Sequence, residues 1–197
     1  MAWKKILLEG DVGGAADYPM KLKPATTRWV LPGWYAYTLT TLYPTSGMLY
    51  YIPLFVSETT TYIRIAIEVQ TGASGSARLG IYNWSNGLPG SLVLDAGTVS
   101  TLNAGVQEIV ISQQLTRGYY FGAMVCNAAP SLRGPNQIYA VRPPLPGFQT
   151  GAALSFRVIM GCSGRGGDVA GGLADPAPAP DTYDLMVSYA FLRFREN

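Results

Sequence analysis

Between Met48 and Cys126 the chain is a succession of short runs that alternate apolar and polar residues or are apolar throughout, each closed by Gly, Pro, Asn or Ser. That two-residue period is the geometry of a pleated strand, and no helical period extends beyond a turn or two. MLYYIPLFV covers Met48 to Val56, with Pro53 marking an edge or a bulge because proline cannot donate to a strand ladder. TYIRIAIEV, from Thr61 to Val69, alternates most cleanly: Ile63, Ile65, Ile67 and Val69 on one face, Tyr62, Arg64, Ala66 and Glu68 on the other. Further strands are expected at Ala77–Asn83, Leu92–Asp95, Gln107–Ser112 and Tyr119–Cys126, with a glycine–proline turn at GLPG between the first two. In Gln107–Ser112, Ile109 and Ile111 should face the core, and Glu108 and Val110 the other way. Beyond the proline-rich VRPPLPGF of 141–148, strands are expected at Ala153–Met160 and Leu185–Phe194.

Regular short strands with this turn spacing predict an all-β fold, an antiparallel two-sheet β-sandwich of jelly-roll type, with a β-barrel as the structural alternative. The 197 residues suffice for one such domain with a core. Residues 47–197 are assigned to the sandwich. Residues 1–46 read as an extended N-terminal arm, punctuated by Pro19, Pro24, Pro32 and Pro44, with strand pieces at Trp3–Leu8 and Trp34–Leu42. The stretch 161–182, GCSGRGGDVAGGLADPAPAPDT, is a Gly/Ala/Pro loop long enough to be functional or to contact a partner.

Composition excludes several functions. Charged residues make up only 13%, against about 25% in ordinary globular chains, and thirteen tyrosines exceed what one core can hold. Net charge is +2 without a basic cluster, so no nucleic-acid partner is expected. The apolar stretch Trp29–Ser57 is broken by Pro32, Gly33, Pro44, Gly47 and Pro53, so no membrane insertion is expected. In MAWKKILLEGDV the apolar patch Ile6–Leu8 is shorter than a secretory signal requires, which sets the expectation of synthesis and retention in a cytoplasm, with exit only as part of a particle. Cys126 and Cys162 read as small core residues rather than a disulfide framework.

No catalytic constellation is expected. The sequence has no histidine, which removes the serine and cysteine triads and histidine zinc sites. Glu58, Glu68, Asp95 and Glu108 are candidate glycosidase carboxylates, but no motif places any two as a pair. GRGGD, Gly164 to Asp168, lacks the Lys-Ser/Thr and the helix of a phosphate loop and reads as a flexible surface loop. Asp168, Asp175, Asp181 and Asp184 lack the spacing of a calcium loop. Neither cofactor nor metal is therefore expected.

Two contact sites remain. Trp84, placed in the turn YNWSNGLPG beside Asn83 and Asn86, could stack on a glycan or cover the end of the sandwich. Trp3, Ile6, Leu7 and Leu8 could anchor the arm on another protein by adding to a sheet edge, or could pair with the chain's own sandwich.

The runs GMLYYIPLFV, YIRIAIEVQTGASGSARLGIYN, GLPGSLVLDAGTV and GVQEIVISQQLTRGYYFGAMV resemble a β-sandwich module of tailed-bacteriophage structural proteins: tail-fibre, head-fibre and decoration-like proteins. MAWKKILLEGDV is similar to the start of such proteins, and the resemblance covers roughly Gly47 to Pro130 plus the first dozen residues. It implies a non-enzymatic virion component, assembled in the host cytoplasm as a homo-oligomer, with a trimer preferred. Its partners would be capsid or tail proteins, and the alternative is a receptor- or carbohydrate-binding module for host attachment through a surface glycan.

Overall fold

The structure, a computed structural model, describes residues 29–30, 39–135, 161–165, 167–181 and 192–196. The anchor residues Trp3, Ile6, Leu7 and Leu8, Asp184 and the strand expected at Ala153–Met160 lie outside them. Eleven strands are described: β1 (Trp29–Val30), β2 (Leu39–Leu42), β3 (Met48–Val56), β4 (Thr60–Thr71), β5 (Ser76–Ser85), β6 (Leu88–Ser100), β7 (Gly105–Leu115), β8 (Gly118–Cys126), β9 (Ser131–Pro135), β10 (Cys162–Arg165) and β11 (Arg193–Glu196). They form two antiparallel sheets packed face to face, so the chain is an all-β sandwich. The first sheet has β7 along one side of β4, β11 and β9 end to end along the other, and β1 and β2 beyond these. The second runs β10-β3-β8-β5-β6. Two pieces of the arm, β1 and β2, are therefore strands of the first sheet.

The pairing is nested. β5 pairs with β6, β4 with β7 and β3 with β8, so one long hairpin, tipped at Asn86–Gly87, is rolled until its successive tiers alternate between sheets. That is the wrapping rule of a jelly roll. The tip follows from sequence: Asn86 and Gly87 both take positive φ, 49° and 88°, which the twist of a two-residue hairpin demands. Pro89, expected in a turn, lies inside β6, an outermost strand of the second sheet where its missing N–H is tolerated.

Tyr50, Ile52, Leu54 and Val56 of β3, Leu79 and Ile81 of β5 and Met124 of β8 fill the inter-sheet core against Ile65, Ile67, Val69 and Phe194. Ile109 and Ile111 pack on this core and Glu108 and Val110 are exposed, as the alternation of β7 requires. One face assignment is corrected. Tyr62 is buried in the core while Ile63 is only partly buried, because the ladders on both sides of β4 shift register between Tyr62 and Arg64, inverting the parity there. The flipped Tyr62 ring meets Phe194 edge-on at 5.4 Å. Gly122 leaves room for the core: a Cβ would stand 2.7 Å from Leu192 Cδ1, which would have to shift.

β3 and β8 are buried on both faces, so the second sheet needs a cover on its outer side. Residues 167–181 supply it. This segment, expected as part of a loop that is functional or contacts a partner, is a strap over the sheet. Val169 and Leu173 sink into a second apolar layer with Leu49, Tyr51, Tyr82, Phe121, Ala123, Val125 and Cys162. Burial of a side chain of this size stabilises by about 1.5–3 kcal/mol, enough to hold a segment that has little regular structure of its own. Gly80 makes room for it, since a Cβ there would lie 2.2 Å from Leu173 Cδ1.

Candidate functional site

The outward face of the second sheet carries the densest chemistry among the described residues. Alternation along β3, β8 and β5 sends Tyr51 and Phe55, Tyr119 and Phe121, and Tyr82 and Trp84 to the same side, and the rings touch in sequence across the strands. Tyr82 meets Tyr51 edge-on at 5.6 Å, and Tyr51 meets Phe121 edge-on at 6.4 Å. Phe121 stacks flat on Trp84 at 4.8 Å, Trp84 leans on Tyr119 at 5.3 Å, and Tyr119 on Phe55 at 4.9 Å. Offset and edge-on geometries of this kind contribute about 0.5–1.5 kcal/mol per pair beyond burial.

The row has two halves. Tyr51, Tyr82 and Phe121 lie in the layer beneath the strap, and both phenols are pinned to it: Tyr51 Oη donates to the Pro178 carbonyl at 3.0 Å and Tyr82 Oη to the Ala174 carbonyl at 2.8 Å. Burial pushes the Tyr82 phenol up to about 12 and raises that of Tyr51 as well, so both stay protonated donors. Phe55, Tyr119 and Trp84, at the other end, are half-buried.

Charge fixes the strap's near end. Arg78 and Asp95 pair at 2.9 Å, Arg78 Nη1 donates to the Val169 carbonyl at 2.6 Å, and the Leu173 amide donates to Asp95 Oδ2 at 3.0 Å. The strap's own aspartates bind backbone. Asp175 Oδ1 accepts from the Leu92 amide at 2.9 Å, and Asp181 Oδ2 from the Arg165 amide at 2.7 Å. Asp168 Oδ1 accepts from Ala170 N–H at 2.8 Å, and no group of three potential ligands converges among the described residues.

The expected glycan trio is not brought onto one surface. Trp84 lies on β5, not in the turn, and its indole faces the strap side against Phe121. Asn83, one residue earlier, points to the opposite side of the sheet in register with Tyr120 and donates to Ser91 Oγ at 2.8 Å. Asn86 is a hairpin-tip residue. The turn motif draws attention to other neighbours of Trp84: its ring partners Tyr119 and Phe121 come from β8, with Phe55 of β3 beyond Tyr119, and the signal for them is the aromatic spacing in GYYF and LYYIPLF.

Three of the four candidate carboxylates, Glu68, Asp95 and Glu108, are structural ties, and they lie on opposite sides of the sandwich. Glu68 joins Arg133 of β9, at 2.9 Å, and Arg193 of β11 across the outer face of the first sheet, and Glu108 pairs with Arg64 at 3.3 Å. Asp95 faces the strap on the other sheet. Cys126 and Cys162 are free and buried in the separate apolar layers, and burial pushes both thiols up to about 12. Comparison of the chain with protein-family models, with curated proteins and with solved structures finds no match.

Proposed function

We propose that this chain is a non-enzymatic structural protein of a tailed-bacteriophage virion: a head or tail fibre, spike or capsid-decoration component. It docks on other virion proteins through the start of its N-terminal arm, around Trp3, Ile6, Leu7 and Leu8, and assembles in the host cytoplasm as a homo-oligomer, with three copies suggested by the fibre-like resemblance. The observation that carries the reading is the use made of its polar groups. Glu68, Asp95 and Glu108 tie strands and strap together through arginines, and the tyrosine hydroxyls of Tyr51 and Tyr82 staple the strap down. Groups so engaged rigidify a scaffold and are not poised for proton transfer. Deleting residues 1–12 is expected to abolish incorporation into a particle while the sandwich stays folded; incorporation at the undeleted level overturns docking by the arm.

A second reading, a receptor- or carbohydrate-binding module for host attachment, is favoured by the half-buried tier of Phe55, Tyr119 and Trp84. Aromatic faces of this kind stack on sugars as readily as on protein. Substituting Tyr119→Ala and measuring glycan binding beside the circular-dichroism spectrum tests it. Lost binding with an unchanged spectrum supports the module, and unchanged binding removes it.

A further inference from the structure

The edges of the two sheets are unequal. An edge strand offers a row of open N–H and C=O groups to any other strand, and proteins blunt such edges with short strands, prolines, basic side chains, bulges or a covering loop. β1 and β2 are two and four residues long. β10 is covered: its Ser163 carbonyl accepts from the Asp181 amide at 2.9 Å and its Arg165 amide donates to the Asp181 carboxylate at 2.7 Å. β6 contains Pro89 and shifts register against β5 in three places. β7 has fewer of these protections: its ladder with β4 slips once, where β7 runs three residues, Gln113 to Val110, against two of β4, Tyr62 to Arg64. It is eleven residues long, has no proline, lysine or arginine, and alternates without a break from Val106 to Gln114. Among the described residues β4 is its ladder partner, and its outward face exposes Val106 by 48% and Val110 by 70%.

The strand's own sequence indicates the occupant. GVQEIVISQQL is symmetric about Val110 at two of its five flanking pairs, Ile109 with Ile111 and Gln107 with Gln113, while Glu108 and Ser112, Val106 and Gln114, and Gly105 and Leu115 differ. Two copies of such a strand, antiparallel around a two-fold axis at Val110, set every residue against its mirror position. Val110 then meets the partner's Val110, Ile109 meets the partner's Ile111, and Gln107 meets the partner's Gln113. The strand's one charge, Glu108, falls opposite the partner's Ser112 and not opposite another carboxylate, and it is already paired with Arg64. The strand's midpoint is also Val110, so this register pairs β7 over its whole length.

We infer that β7 is a homodimerisation edge: two copies join β7 to β7, antiparallel, and their first sheets become one continuous sheet. This rests on the homo-oligomer part of the reading above and changes its order from three copies to two.

The test is sedimentation of the full chain and two variants. The unaltered chain is expected to be a dimer. Val110→Lys sets two ammonium groups against each other at the axis and is expected to give a monomer with an unchanged circular-dichroism spectrum, and mixing it with Val110→Glu is expected to restore the dimer. Val110→Cys is expected to form a disulfide-linked dimer under mild oxidation, because facing residues of an antiparallel pair stand about 4.5–5.5 Å apart at Cα, within disulfide reach. The cross-link keeps the test decisive should the lysine variant fail to fold. A monomeric unaltered chain, or an oligomer that survives Val110→Lys and does not cross-link at Val110→Cys, overturns the inference. A monomer that still enters particles removes this contact and leaves arm docking standing, whereas a dimer that enters no particle does the reverse.

Discussion

The two sheets solve the problem of their outer faces in opposite ways. On the first, β4 and β7 alternate, and the outward positions carry Arg64, Glu68, Glu108 and Val110, with the charges knitted across strands to Arg133 and Arg193. On the second, β3 and β8 are apolar on both faces, and a glycine-rich strap closes over the aromatic side. A solvated face needs only paired charges. An apolar face needs cover, and here the chain brings its own.

The largest effect should come from removing the strap's main contact. Tyr51→Ala takes away a buried ring, two edge-on contacts and a hydrogen bond to Pro178, and is expected to cost about 3–5 kcal/mol in chemical denaturation. Gly80→Val attacks the same layer by overfilling it. Its Cβ would meet both Leu173 Cδ1, at 2.2 Å, and the Leu94 carbonyl, at 2.6 Å, so a loss of about 1–3 kcal/mol is expected together with faster proteolysis within 167–181.

Alkaline pH probes both layers at once. Cys126 and Cys162 have thiols raised from an ordinary 9.0 to about 12, so the folded chain keeps protons that the unfolded chain releases. Their contribution is complete below about pH 9 and is lost as pH rises toward 12. Denaturation midpoints should accordingly fall over that interval, and both thiols should stay silent to a thiol reagent at pH 8 until the chain unfolds. The smallest effect belongs to the solvated face. Glu68→Gln breaks ties to Arg133 and Arg193 that are partly open to solvent, and is expected to cost about 1 kcal/mol, less in high salt.

Much of this contrast was legible in the sequence, and its gaps have physical causes. Met48–Val56 was read to the residue because the run is apolar and bounded by turn formers. Only Leu92–Asp95 of β6 reads as strand from sequence, because Pro89, Gly90 and Gly97 look like punctuation, although an outermost strand tolerates them. The parity inversion at Tyr62 was hidden, since a bulge depends on what the neighbouring strands do. From sequence the strap reads as a functional or partner-contacting loop, because its anchors are distant and largely backbone groups: Ala174, Pro178 and Asp181 bind Tyr82, Tyr51 and β10. Composition holds no trace of those links. A clue did exist, in that β3 and β8 are apolar on both faces and had to be covered by something. The site suffers the same way: Trp84 stands out in sequence, but its ring partners Phe121 and Tyr119, and Phe55 beyond Tyr119, come from other strands.

The most direct measurement of the claim that this chain seals its own second sheet is native-state hydrogen exchange of the full protein, read at the amides of Leu92, Leu173, Ala177 and Asp181. Each of these donates to a strap–sheet hydrogen bond. Protection close to that of the β3 and β8 amides is the expected result; exchange at the rate of an open loop, with β3 and β8 still protected, would contradict it.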